Sequence, residues 1–483
     1  MTLVEESMLK SLGIRRFKNI EDIDIQLDRV NVVVGANNSG KSSILQAIQF
    51  AVSIAQTTSL ENLRWVGDRL PTSLSHLQLI YSPLRDVSAL ALGGNLQERE
   101  EQAIVINFEE LETNNKAKIL IKRGRNRNIT VAIEGKDLGL KIQVIEEPFS
   151  IYVPGLAGIP VVEEYKNPGI VRKAAARGDA NNVFRNILWL LKQSSSGWSQ
   201  FLEDFYFVFP DKPIDVNFTP DRDDYISCTV ETNGKKLPID SAGTGVLQAV
   251  QILSYVNLYK PKILILDEPD AHLHPNNQRR LAQMLVTLSE RRNFQVILTT
   301  HSRHLLDELA GSAKVHWIRN GKLAEEENFD EVKVLMEIGA LDKGDRLRSG
   351  NVKCVLLTED RDTTPIKTLL EASGFSMSDV DIWSYRGCTK IDTALVLAAF
   401  IREHAPGTKM VLHRDKDYLT PEEADDFINK VEAANIECFL TSGTDVESHF
   451  IWPEHISYLY PTLSLESSRD CRRSYAIDKG EIY

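Results

Sequence analysis

The stretch VNVVVGANNSGKSSILQAI, residues 30–48, passes from a continuously apolar, β-branched run through glycines into a helical pattern. Gly35, four spacers and Gly40-Lys41-Ser42 sit at the junction, so strand, glycine-rich loop and helix N-terminus follow in order. Such a loop holds phosphate for physical reasons. Glycines let backbone N–H groups turn inward around the anion, and the new helix adds the positive end of its dipole. Lys41 can reach β- and γ-phosphates, and the Ser42 hydroxyl is a ligand for Mg²⁺. Gly35, Asn37, Asn38, Ser39, Gly40, Lys41, Ser42 and Ser43 are therefore the expected nucleotide-binding set, with ATP and Mg²⁺ as cofactors.

Two more buried strands complete such a site further along. In PKILILDEPDAHLHP an apolar run ends at Asp267 and Glu268. Asp267 is placed to bind the metal through water, and Glu268 to polarise the attacking water. VILTTHS carries another strand to His301, within reach of a γ-phosphate. Between loop and acids, DSAGTGVLQAVQIL puts Ser241, Gly243 and Gly245 at a helix start, a second anion site suited to a γ-phosphate presented by another subunit.

Taken in order, these motifs resemble the ABC-type ATPases, and within them the DNA-handling, SMC-like branch. About 200 residues separate Lys41 from Ser241, roughly double what a compact transporter nucleotide domain needs. The opening IRRFKNIEDIDIQLDRVNVVVGANNSGKSS, with a strand pair before the loop, is similar to that branch too. The resemblance implies ATP sandwiched between two such domains, hence a homodimer. Ser-Ala-Gly-Thr-Gly departs from the Leu-Ser-Gly-Gly-Gln of transporter-like members. Gln78 is a candidate for the Mg²⁺-sensing glutamine, with a surface glutamine as the other reading.

A polar, glycine- and charge-rich stretch at 336–351 reads as a linker. Beyond it a second α/β series is expected: strands at 354–358, 380–385, 408–413 and 437–440, helices at about 365–373, 391–403 and 421–434. TTPIKTLLEASG offers Thr364 as cap and Gly374 as stop, and TPEEADDFINKVEAA offers a capping box at Thr420 and Glu423. Ligands of a parallel sheet belong at the carboxyl ends of its strands. That is where Glu359, Asp360 and Asp362 fall, then Asp415 and Asp417 in VLHRDKDYLT, then Glu447 in TDVESHF. Oxygen ligands favour Mg²⁺ or Mn²⁺, and the expected metal set is Glu359, Asp362, Asp415, Asp417 and Glu447, with Glu359, Asp415 and Asp417 catalytic. Helix caps are the alternative use of these acids, and His413 is expected to pack or to support a ligand.

Glu after the first strand and Asp-x-Asp after the third resemble the Toprim domain of topoisomerases, primases and nucleases. An SMC-like ATPase followed by Toprim is similar to the OLD (overcoming lysogenisation defect) family, which includes Gabija-, retron- and PARIS-associated relatives in bacterial antiphage defence. TEDRDTT departs from that pattern, with Asp360 where glycine is usual and the next acid three residues on. Lys416 and Lys479 are candidates for the late lysine of that family.

The expected architecture is α/β: an ABC-type P-loop ATPase domain over 1–335 with a helical insert at about 161–206, then a smaller Toprim-like parallel domain over 352–483. The resemblance implies an ATP-regulated, divalent-metal-dependent DNA endonuclease or nickase in phage defence, with a partner defence protein or retron RNA or DNA as further partners. A DNA clamp that does not cut, and a sensor whose Toprim domain is inactive, stay open.

Composition is compatible with each reading. The 483 residues are 42% hydrophobic and 26% charged, ordinary for folded domains, and the net charge of −12 rules out a uniformly basic nucleic-acid coat but not a local groove. Five scattered cysteines without a Cys-x-x-Cys pair give no zinc site. The N-terminus MTLVEESMLK has no apolar core for a signal peptide, and the longest apolar run, ALVLAAFI, is too short to span a bilayer. A cytoplasmic protein without a membrane partner is expected.

Overall fold

In a computed structural model the described residues are 8–323 and 352–464, except 126–127, 156–157, 233, 310, 361 and 385–390, together with Leu347, Glu466, Ser467 and Arg469. Apart from Leu347, the expected linker lies outside them, as does Lys479. The chain divides into two compact units, Met1–Phe329 and Asp330–Tyr483.

The first unit is built on two six-stranded sheets. One takes the order Lys322–Leu323, Lys314–Arg319, Val30–Val34, Gln295–Thr299, Ile263–Asp267, Ser150–Val153, parallel except at its first pair. Val30–Val34 and Gln295–Thr299 are buried end to end, which is why their sequences are largely apolar and do not alternate. The other sheet is antiparallel: Ile20–Gln26, Leu9–Phe17, Ile104–Glu110, Lys116–Arg123, Ile129–Glu134, Arg69–Leu74. Here burial alternates along a strand such as Ile20–Gln26, as one covered face requires.

The helix Lys41–Leu60 packs against both sheets, and 15 of its 20 residues are buried. Its buried polar side chains must then find partners inside the protein. They bind neighbouring loops: Ser53 exchanges hydrogen bonds with the backbone of Tyr81, and Gln56 donates to the Val144 carbonyl. The helix thus sets both the phosphate loop at its start and the segments along its flank.

Local readings failed at several places. KIQVIEE (141–147), whose β-branched residues suggest a strand, holds the end of the helix Lys136–Ile142 and a turn. That helix starts at Gly135, whose φ of 88° and close approach to the Lys116 carbonyl demand glycine. The strand Arg69–Leu74 escaped notice because it contains Pro71, which an edge strand tolerates. A three-stranded sheet of Ile214–Asn217, Ser227–Thr232 and Lys235–Pro238 was also unforeseen. The insert is helical, with Pro168–Ala176, Phe184–Lys192 and Ser195–Val208; the last two pack on the helix Thr244–Tyr259.

The second unit holds a four-stranded, wholly parallel sheet ordered Val380–Ser384, Cys354–Thr358, Lys409–Arg414, Glu437–Leu440. The helices Thr364–Ala372, Ile391–His404 and Pro421–Ala433 connect them. Thr420 and Glu423 form the expected capping box, and Gly374 ends its helix at φ 87°. Thr364 does not cap: it is the first helical residue, and its N–H is received by Asp362 Oδ1 at 2.9 Å. Among the described residues no helix is long and apolar enough to cross a membrane.

Candidate functional site

The phosphate loop is held open from within. Lys41, 6% exposed, donates from Nζ to the carbonyls of Gly35 and Ala36 at 2.9 Å each, so the ammonium already lies across the loop. A Cβ at Gly35 would stand 2.4 Å from the Ile318 carbonyl, and Gly40 has φ 115°, so neither position accepts a side chain. Asn19, in the turn between the first two strands, donates to the Asn38 carbonyl at 2.9 Å and receives the Ser43 hydroxyl at 3.0 Å. Asn37 and Asn38 face solvent, whereas the Ser39 carbonyl is tied down by the N–H of Gly321 at 2.8 Å.

Across from the loop, parallel pairing brings Asp267 level with Thr299. Asp267 collects three hydroxyls: Ser42 at 3.2 Å and Thr299 at 2.7 Å on Oδ1, Tyr152 at 2.9 Å on Oδ2. Burial, with the Asp267 charge adding, pushes the Tyr152 hydroxyl far above its ordinary range, so it stays a proton donor. Thr299 also accepts the N–H of Glu268 at 3.0 Å, and Glu268 sits at φ 50° with its carboxylate 3.5 Å from His301 Nε2. Ser42, Asp267, Glu268 and His301 are therefore brought together. Tyr152, Thr299 and Lys18 were missed in the sequence; burial lowers the Lys18 ammonium and Asp267 works against that shift. A threonine one residue before a strand-end Thr-His was the available signal for Thr299, and nothing marked Tyr152.

Ser241 and Gly243 are exposed just before the helix Thr244–Tyr259, whereas Gly245 is buried in its first turn. Gly245 packs so closely on His272 and Leu273 that a Cβ would meet Leu273 at 2.9 Å, joining this stretch to the segment after Glu268. Asp270 in that segment is pushed up to about 6 by burial. Gln78 accepts the Ser75 N–H in an exposed turn and takes no part in the site.

In the second unit the register pairs Thr358 with His413 and Arg414 with Leu440, which aligns the strand ends that carry the acids. Ligand atoms of Asp360, His413 and Asp415 lie within 4.8 Å of one another. His413 is wholly buried; its Nδ1 meets the Thr358 hydroxyl at 2.8 Å, and its Nε2 faces Asp415 Oδ1 at 3.5 Å. Glu359 Oε1 accepts the Asp415 N–H at 2.8 Å, and burial, with the charges of Asp415 and Asp417 adding, raises its carboxyl above the usual range. Burial and Asp415 raise Asp360 likewise, and Glu447 contributes. Asp417, exposed at φ 45°, anchors its N–H on the Thr444 carbonyl. Glu447 is exposed on the 3₁₀ turn Val446–Phe450. Asp362 is turned away to its helix start, and hydrogen bonds from Thr364 hold its carboxyl below the usual range. Asp360 and His413 thus stand where Asp362 was expected.

The donor set fits a divalent ion: Asp415 Oδ1 is buried without a hydrogen-bond donor, and carboxylates with one imidazole suit Mn²⁺ at least as well as Mg²⁺. Ser42 and Asp267 offer the hydroxyl and carboxylate that a phosphate-bound Mg²⁺ takes.

Residues 30–307 match the family model described as "AAA domain, putative AbiEii toxin, Type IV TA system". Over 326 residues the chain is 22% identical to the OLD nuclease of Thermus scotoductus, covering 61% of this chain and 59% of the relative. Over 100 residues it is 28% identical to a probable ABC transporter ATP-binding protein, p29, of Mesomycoplasma hyorhinis, covering 20% and 39%. The chain therefore spans well under two thirds of either relative. Among solved structures, the SMC head domain from Thermotoga maritima aligns with a TM-score of 0.38 at 14% identity, over 66% of this chain and 99% of that one. An SMC head bound to the C-terminal winged-helix domain of ScpA aligns with a TM-score of 0.45 at 15% identity, over 65% and 96%.

Proposed function

The chain belongs to the AAA_21 family as an OLD-like ATPase of the ABC/SMC type, and on that premise we propose that it is an ATP-regulated, divalent-metal-dependent DNA endonuclease or nickase of antiphage defence. In this reading Lys41 and the loop amides hold the phosphates, and Ser42 and Asp267 hold Mg²⁺. Glu268 accepts the proton of the attacking water, and His301 steadies the γ-phosphate. Ser241, Gly243 and Gly245 complete the site of a partner copy, making the working unit a cytoplasmic homodimer.

DNA cleavage is assigned to the second unit as a Toprim-like nuclease domain. The observation that carries it is the convergence of Glu359, Asp360, His413 and Asp415 at the carboxyl ends of one parallel sheet. A metal held there supplies charge neutralisation at the scissile phosphate and a more acidic water. Asp360 and Asp415 would ligate it, Thr358 orients the imidazole, and Glu359 braces the Asp415 backbone while keeping one oxygen for the metal or for a proton. The test is incubation of the full chain with supercoiled, linear and single-stranded DNA in Mg²⁺ or Mn²⁺, with and without ATP. Metal-dependent product supports the assignment; no product under any condition sinks it.

One observation favours a second reading. Asp362 is committed to a helix start, and Asp417 and Glu447 are exposed outside the cluster of Asp360, His413 and Asp415, which leaves fewer gathered carboxylates than a two-metal site uses. A sensor whose second unit binds metal or DNA without cutting would then relay nucleotide state to a partner.

A further inference from the structure

The helix Thr244–Tyr259 is tied to the insert at both of its ends. At its C-terminal end, the Asn257 side chain donates to Asp204 at 2.8 Å, and Arg292 bridges Asp204 at 2.9 Å and Asn257 Oδ1 at 3.0 Å. Asp204 belongs to the insert helix Ser195–Val208. At its N-terminal end the tie is a single buried guanidinium. Arg185, on the helix Phe184–Lys192, is 3% exposed and donates from Nη2 to Asp240 Oδ1 at 2.7 Å. Asp240 immediately precedes Ser241.

The rest of Arg185 is clamped. Its Nη1 donates to the Pro160 carbonyl at 2.7 Å, and its backbone N–H reaches Glu163 Oε2 at 2.9 Å. Glu163, also buried, takes two hydrogen bonds from Asn186 at 2.8 and 2.6 Å. A buried cation fixed on this many sides has little freedom, so the carboxylate paired with it is fixed too. Asp240 is the partly exposed end of the chain of contacts, at 39% side-chain exposure. Neither residue touches the phosphate loop in the contacts above.

We infer that Arg185 is a positioning residue for ATP hydrolysis: through Asp240 it holds Ser241, Gly243 and Gly245 in the geometry that a partner subunit's γ-phosphate requires. The inference rests on the reading of that stretch as a phosphate contact across a dimer. Displacement of such a group by about 1 Å costs on the order of 100-fold in rate, while nucleotide binding, carried by Lys41 and the loop on the same subunit, is spared. The insert is thereby the element that sets the hydrolysis rate.

The experiment compares ATP hydrolysis, Mg·ATP affinity and thermal melting of the full chain with those of Asp240→Asn, Asp240→Glu and Ser241→Ala. Asp240→Asn keeps the hydrogen-bonding shape but weakens the charge pair at a partly exposed position, so the fold survives. The expected result is a kcat lowered about tenfold, an unchanged KM and melting temperature, and partial recovery in Asp240→Glu. If Ser241→Ala is impaired but Asp240→Asn hydrolyses normally, the coupling through Arg185 is wrong. If Ser241→Ala is also normal, the phosphate-contact reading fails and the inference with it. Parallel loss of nucleotide binding or melting temperature in Asp240→Asn marks a merely structural ion pair and equally overturns it.

Discussion

The two acid sites of the molecule are held in opposite ways. Asp267 is surrounded by donors, with the hydroxyls of Ser42, Thr299 and Tyr152 all within 3.2 Å. Asp360 and Asp415 are surrounded instead by other ionisable groups, His413 between them and Glu359 behind. A carboxylate fed by hydroxyls is held in place before any ligand arrives. Burial first, and then the charge of Asp415, raise the Asp360 and Glu359 carboxyls above the usual range, with His413 and Arg414 working against the shift. One carboxylate is braced by neutral donors; the others stand in a cluster of ionisable groups.

Separate mutations should break the two sites separately. The largest effect belongs to Glu268→Gln, expected to lower ATP hydrolysis about 10²–10⁴-fold while nucleotide binding persists, read by phosphate release. Asp415→Asn should lower DNA cleavage by two orders of magnitude or so with ATP hydrolysis unchanged, since it removes one ligand of the metal set. Tyr152→Phe deletes a single hydrogen bond to Asp267, worth about 1 kcal/mol, so Mg·ATP binding should weaken about fivefold. Asp362→Asn should leave cleavage unaltered; a loss there as large as in Asp415→Asn would return Asp362 to the metal site.

Acid stability sharpens the contrast from another side. Asp270 has a folded value of about 6, above that of an unfolded aspartate, so the folded chain holds this proton more tightly. Its contribution favours folding below about pH 4 and declines as pH rises to about 6, then stays flat. In melting-temperature profiles, Asp270→Asn should lack this decline. A wild-type profile parallel to that of the variant between those values would contradict it.

What could be read from sequence followed from how local each feature is. The phosphate loop, the Asp267-Glu268 strand end and the capping box at Thr420 are contiguous in the chain, and each keeps its chemistry within a few residues. Glycine requirements at Gly35 and Gly40 were equally visible. Tyr152 was not, because it reaches Asp267 only through parallel pairing of Ile265 with Tyr152 across more than a hundred residues. His413 and Asp360 were undervalued for the same reason: the Thr358–His413 register turns a buried histidine toward the acids, and no periodicity announces a register. Asp362 was overvalued because an acid before a helix looks alike whether it caps or coordinates. The helical pattern around Arg185 and Asn186 suits a partner-contacting arm and an amphipathic core helix alike, and it is Glu163 that draws both residues into the interior.

We propose that DNA cleavage by the second unit depends on its own metal-binding carboxylates and not on ATP hydrolysis in the first. The most direct test is the nicking of supercoiled DNA in Mn²⁺ by the full chain, with ATP hydrolysis followed in parallel for Asp415→Asn. The account predicts that wild-type protein nicks the DNA, and that Asp415→Asn does not while hydrolysing ATP at the wild-type rate. Undiminished nicking by Asp415→Asn, or none by the wild type, would contradict it.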